Sequence, residues 1–483
     1  MSISRKPPDE KGAALLIALI VLSLFSLLGL YMAFNATTGL RISDNHESRF
    51  QATCAAQSGL NHARVLLQGL IFNELLRGPD GTYDESPAYL EQARSYGYRN
   101  PVPLTTARSL NPADPAGDLS GIPDDGVINT GFYAGTAGTA LIPLTGISLS
   151  APGPSDAETT TSRYFVKVSD NNGEISELAG DPDDNPFVDG DGIVIVRSMG
   201  VAKTLSEPVG SIWRRNSVVV FEGRFKRLST FDLGPALVAQ GPQVVAAFGG
   251  TYEISGGLFP GIGVIDTNPG DAVLPSQSIR DAAGEGPNIT GGGLPSPSIQ
   301  DLTGWVSDDG DRSLLLDPRY VWDFISERAP GISDDVYEGN QNWVDGSAPY
   351  AGNYDIAKPA NAPGQDPRII TVKGDLNVTG SFSGAGLLIV TGEFSYNGPF
   401  SFSGLIVVAG SGQLIAAGSG TGIAGGMFLA RVTGTGEEIA FGTPGLSISG
   451  ESRITADRDA VRMALALIPP SQISFREIAG QDP

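Results

Sequence analysis

Glycine returns every six residues at Gly374, Gly380, Gly386, Gly392, Gly398, Gly404 and Gly410, and this period restricts the fold more than any other feature of the chain. Positions two and four after most of these glycines are large and apolar: Leu376/Val378, Leu388/Val390, Phe394/Tyr396, Phe400/Phe402 and Ile406/Val408. Phe382 and Leu414 each keep one half of the pattern. Two inward side chains flanking one outward side chain make a short strand of period two. A glycine then turns the corner, where a Cβ would crowd the backbone. Three such faces make a coil of about eighteen residues, and stacked coils pair their strands in parallel. Residues 366–450 are therefore expected to form a parallel β-solenoid of roughly four or five coils. An antiparallel meander with glycine turns is the competing arrangement. The register slips after Gly410, where Gly412, Gly418 and the glycines from Gly420 to Gly426 interrupt it.

Two enzyme-like signals inside the repeat lack their context. Gly420, Gly422 and Gly425 match a dinucleotide-binding glycine spacing, but that fingerprint needs a following helix. Met427-Phe428-Leu429-Ala430 reads instead as the next strand. Hexapeptide acyltransferases share the period but need a catalytic histidine, and both histidines, His46 and His62, precede the repeat. Only Asp375, Glu393 and Arg431 carry charge between Gly374 and Gly436, so a lyase-type carboxylate or basic site is not expected there.

Composition narrows the class further. Glycine is 64 of 483 residues, while apolar residues are 41%, enough to build packed cores joined by many tight turns. The net charge of −22 argues against nucleic acid held on a basic surface. The single cysteine, Cys54, excludes an intrachain disulfide. No enzymatic activity is expected.

The N-terminus is the second strong constraint. No charge occurs from Gly12 to Leu40, a run of 29 residues that opens after Arg5, Lys6 and Lys11. Roughly 20 apolar residues suffice to cross a bilayer. The span is expected at about 13–34. Preceding basic residues place the N-terminus in the cytoplasm and the rest across the membrane. The run exceeds the usual length of a cleaved secretory signal. An uncleaved anchor fits composition equally well. Beyond the membrane the helical pattern continues. Ala52, Ala55, Ala56, Gly59, Leu60 and Ala63 recur at three- and four-residue spacing, opposite Arg49, Gln51, Asn61 and Arg64. One long helix over 13–76 is expected, half in the membrane and half packed on a globular domain.

This stretch resembles the N-terminal region of type IV pilin-like proteins, and specifically the PilX-like minor pilins. Lys11-Gly12-Ala13-Ala14-Leu15-Leu16 is similar to a prepilin cleavage junction, and Phe50 to Leu60 is similar to the group's alanine-rich segment with a Ser-Gly-Leu end. Ile473 to Ile478 also resembles the end of large members of the group. The resemblance implies that residues 1–12 are a leader, that prepilin peptidase cleaves after Gly12, and that Ala13 is then methylated. It implies other major and minor pilins as partners, with no cofactor required. Localisation would be a single pass through the inner membrane with a periplasmic C-terminal region, followed by the pilus or cell surface. Ile17 stands where major pilins carry a glutamate. Such a subunit is not expected to dock below another in the usual way, which implies a tip or priming role. The K-type minor pseudopilins of type II secretion share that departure and are an alternative. A membrane-anchored β-helix protein binding carbohydrate at the surface is a third reading. For that reading Phe394, Tyr396, Phe400 and Phe402 are the aromatic candidates, although their spacing favours a core.

The remaining organisation is coarser. Residues 77–227 are expected to form a globular domain. Its antiparallel sheet would include Tyr164–Val168, Ile193–Arg197 and Ser217–Phe221. Long helix, antiparallel sheet and later solenoid together define an α+β chain. Within 180–192, Asp181, Asp183, Asp184, Asp189 and Asp191 make a carboxylate cluster suited to calcium. A solvated acidic turn explains the same residues and is preferred. Asp308, Asp309 and Asp311 form a weaker cluster. Residues 228–365 are expected to be a Gly/Pro-rich insert or connecting region, with Trp305, Trp322 and Trp343 arguing that it is folded. One short helix is expected within Asp317–Glu327. Residues 451–483 are expected to supply a C-terminal helix and a strand that caps the solenoid.

Overall fold

The computed structural model describes residues 10–72, 132–134, 139–142, 146–151, 160–171, 192–202, 217–270, 274–355, 364–420, 422–434 and 438–478. The first element is one helix, Glu10–Leu67, of 58 residues. Its second half lies on an antiparallel sheet. The spatial order of strands in that sheet is Ser471–Ile478, Ser217–Lys226, Ile193–Ala202, Thr160–Asp170 and Ile147–Ala151. Alternation assigns the faces. Val166, Val168, Val194, Val196, Val219 and Phe225 meet the helix. Phe165, Met199, Val201 and Val220 cluster on the reverse face.

The glycine repeat forms parallel ladders rather than an antiparallel meander. Leu376 pairs with Phe394, Phe382 with Phe400, and Leu388 with Ile406, each displaced by 18 residues. The later pairings, Phe402 with Ile423 and Leu414 with Leu446, absorb longer excursions. At one corner, Gly386, Gly404 and Gly425 stack with φ of 119°, 138° and 145°. A Cβ on Gly404 would strike the Gly386 carbonyl oxygen, and one on Gly425 the Gly404 carbonyl oxygen. That contact, together with a φ unfavourable to other residues, explains why the corner keeps glycine. Phe394, Phe400, Phe402 and Tyr396 are all buried, so these aromatics are core residues and not an exposed platform.

The ladder extends beyond 366–450 in an unexpected order. Leu237–Gly241, Val245–Phe248 and Glu253–Ser255 come earlier in the chain, yet they stack in parallel on the last rung of the repeat. They pair with Gly422–Thr433, Gly445–Gly450 and Arg453–Ala456 respectively. Ile262–Asp266 and Ile289–Thr290 add the next layer, and Ile299–Asp301 follows. At the opposite end, Asp335–Glu338 and Gln341–Val344 stack on Arg368–Lys373 and Leu376–Thr379. Spatial order is therefore a permutation of chain order.

The return path between the two ends is helical. It comprises Thr303–Asp308, the 3-10 turn Arg312–Leu316, Pro318–Asp323, a π-helical stretch Phe324–Arg328, and Ala329–Ile332. Val306, Leu315, Val321 and Ile325 from this path share a core with Leu387, Ile389, Leu405 and Val407, which point outward from the ladder. One ladder is thus buried on both sides, which accounts for unbroken apolar runs such as Leu405-Ile406-Val407-Val408. The helix Arg458–Ala466 closes the same face with Val461, Ala464 and Leu465. Asp457 caps it, accepting from the Asp459 and Ala460 amides.

The final strand pairs elsewhere than expected. Ser471–Ile478 joins Ser217–Lys226 of the antiparallel sheet rather than capping the parallel ladders. The whole parallel module is therefore inserted between two neighbouring strands of that sheet.

Burial sets one pH prediction. Tyr396 lies in the parallel core, and desolvation pushes its phenol up to about 12, partly offset by a hydrogen bond with Ser452. The raised value means that folded protein holds this proton more tightly than unfolded chain. The stabilisation is complete below pH 10.0 and is lost as pH rises through about 12. Tyr396→Phe should flatten that alkaline loss by on the order of 2 kcal/mol relative to the parent. Urea unfolding of both proteins across this pH window measures the difference.

Candidate functional site

The candidate site is the N-terminal helix and its seat. Leucines, isoleucines and valines from Leu15 to Leu30 are exposed, and Ile17 is among them at 61%. The most apolar window has a mean hydropathy of 2.6 and none of it is buried in the protein. Among the described residues this is one helix long and apolar enough to cross a membrane. From Ala14 to Glu47 it runs for about 50 Å, longer than the roughly 30 Å hydrocarbon core. Gly12 and Ala13 fall inside the helix, so the expected processing junction is helical here.

Contact with the sheet begins at Ser48, whose hydroxyl is 2.9 Å from that of Ser217. From there the buried face is built from small residues: Ala52, Ala55, Ala56 and Ala63 are fully buried. Small side chains let the helix backbone approach the sheet, and Gly200 supplies the matching gap. A Cβ at Gly200 would land on the Ala52 carbonyl oxygen and the Ala56 amide nitrogen. Across the same contact, a Cβ on Gly59 would strike the Ser198 hydroxyl and the Tyr164 ring. Leu60 and Leu67 then fill the wider part of the interface. His62 Nδ1 lies 2.9 Å from the Tyr164 hydroxyl. Phe50, Cys54 and Val65 occupy the outer face and are exposed.

The end of this helix also touches the return from the parallel module. The Gly69 amide donates to the Ala466 carbonyl at 2.8 Å, and Gln68 Nε2 donates to the Leu467 carbonyl at 3.2 Å. Arg49 meets Glu477 of the final strand at 3.3 Å.

A buried ionic group ties three strands together on the reverse face. Arg197 Nε donates to Glu222 Oε2 at 2.8 Å, with side chains 3% and 2% exposed. Arg476, from the final strand, reaches Glu222 Oε1 at 2.6 Å. Burial lowers the pKa of Arg197, and the Glu222 carboxylate opposes that shift. Alternation alone did not separate this pair from ordinary surface charges, since each sits among apolar neighbours in a strand. Gly200 had a clearer signal, because an isolated glycine inside a strand marks close backbone approach.

The acidic candidates fare differently. Asp181, Asp183, Asp184, Asp189 and Asp191 lie outside the described residues. Asp309 accepts from the Asp311 and Arg312 amides and pairs with Arg312, whereas Asp311 accepts from Lys226 and Ser229. Among the described residues, no group of three or more His, Cys, Asp or Glu side chains could hold a metal ion.

Searches against protein-family models, curated proteins and solved structures return no match.

Proposed function

We propose that this chain is a PilX-like minor pilin, a structural subunit acting in type IV pilus assembly or tip priming. One observation carries the reading: a single helix whose first half is apolar and exposed and whose second half is seated through alanine and glycine on an antiparallel sheet. An exposed apolar half needs lipid or other apolar helices around it. Prepilin peptidase, the inner membrane and other pilins are the corresponding partners. Ile17 brings no carboxylate into the membrane, where an unpaired charge is costly, and this favours a terminal position in the filament. A K-type pseudopilin of type II secretion fits that departure equally, and the two are told apart by the filament with which the protein co-purifies.

In this reading the parallel ladders with their 18-residue register wind as a β-solenoid displayed beyond the helix. A surface ligand would meet this module. The four aromatic residues named as a sugar platform are buried, which weighs against a carbohydrate binder built on them.

The N-terminal mass of the protein from native membranes or sheared pili tests the proposal. The expected mature chain begins at methylated Ala13, and Gly12→Val should retain the full leader. An intact N-terminus in the parent protein, or one cut beyond Ala36, rejects the pilin reading.

A further inference from the structure

Where the two lobes meet there is an open cleft of about 550 Å³. Both crossings of the chain line it, through Lys226 to Thr230 on the outward path and Ile468 to Ser471 on the return. The helical path supplies the opposite wall with Leu314, Tyr320, Phe324, Arg328 and Ile332. Ligand sites favour such boundaries, and typically have apolar walls with a few convergent polar groups. The wall holding Phe324 and Arg328 is π-helical, a local distortion that recurs at functional positions.

Charge selects the ligand. In a chain of net charge −22, this lining carries Lys226, Arg227 and Arg328 against one carboxylate, Asp311. Lys226 holds Asp311 at 2.7 Å. Arg328 has no carboxylate partner among the described residues, and its guanidinium stands 5.5 Å from the centre of the Tyr320 ring. A lipid headgroup is the wrong source of anion. The cleft lies beside Leu70, whose carbonyl accepts from Arg227, and the helix from Arg41 to Leu67 holds it about 40 Å beyond the uncharged run.

We propose that this cleft binds a small organic anion with an apolar body, its charge on Arg328 and its body against Leu314, Phe324 and Ile332. The inference does not depend on the membrane helix or its processing. The two crossings of the chain form the other wall of the cleft, facing the seated ligand.

The test uses the full chain in nonionic detergent, with 2-naphthoate as probe and calorimetric titration against a detergent-only blank. Saturable binding is expected, weakened at least tenfold by Arg328→Gln and by exchanging the probe for neutral 2-naphthamide. Leu314→Trp, at a partly exposed lining position, should fill the cleft and abolish binding at an unchanged melting temperature. Absence of saturation above the blank overturns the proposal. So does equal affinity in Arg328→Gln, or equal affinity for the neutral probe.

Discussion

Gly200→Leu should unseat the helix and cost the antiparallel lobe more than about 3 kcal/mol. The reason lies in which atoms obstruct the new side chain. A flexible neighbour could swing away, but the first obstacle here is the helix backbone at Ala52 and Ala56. The whole helix would have to lift, opening the contacts of Ala55, Leu60 and Ala63 together. Gly29→Leu is the control: it adds the same side chain to the exposed half of the helix rather than to the sheet, and nothing lies within 4 Å of its Cβ. Hydrogen exchange over residues 48–67 with a urea melt reads both variants. Exchange should rise sharply in Gly200→Leu and stay at the parent level in Gly29→Leu. A Gly200→Leu protein melting within about 0.5 kcal/mol of the parent would show that the helix does not sit this close.

The same contact gives the alanine-rich segment a physical role. Alanine buries little area per residue, so a helix seeking only apolar burial would present leucine. Small residues are needed when backbone must approach backbone, and Gly59 facing Ser198 extends that approach by another turn. Larger residues reappear at Leu60 and Leu67, where the interface widens.

Much of this was legible from residue patterns, and what was not has identifiable causes. Local rules worked where the signal was local. The uninterrupted apolar run, the three β-branched segments and the glycine corners each carry their signal within a few consecutive residues or repeat at short period. The spatial permutation was hidden because no local pattern reports that Leu237–Gly241 pairs with Met427–Ala430. One hint was available. Leu387, Ile389, Leu405 and Val407 occupy outward positions of their hexads yet are apolar, and only a covered face accommodates them. The final strand misled for a related reason: proximity in sequence to the repeat suggested a cap, whereas its pairing partner lies more than two hundred residues earlier. The cleft between the lobes was equally invisible, since Lys226, Asp311 and Arg328 come from separate elements.

That final strand makes Glu222 the position where one change should have the widest effect. Glu222 accepts from Arg197 of one neighbouring strand and Arg476 of the other. Glu222→Ala removes the carboxylate that accepts from the buried Arg197 guanidinium, and removing one partner of such a pair costs about 3–5 kcal/mol. It also releases Arg476, so the closing strand loses an ionic tie to the sheet. Arg476→Gln alone should cost under about 1 kcal/mol, because its side chain is 58% exposed and water can take over its role. Arg197→Met with Glu222→Leu removes both buried charges and should recover much of the single-variant loss. The four urea midpoints therefore have a required order: parent and Arg476→Gln close together, the double variant below them, Glu222→Ala lowest. If Glu222→Ala matched Arg476→Gln, the buried pair would contribute no more than a surface one. The insertion of the parallel module would then be held by the backbone pairing of the final strand and by the contacts of the return with the helix, without the buried ionic group.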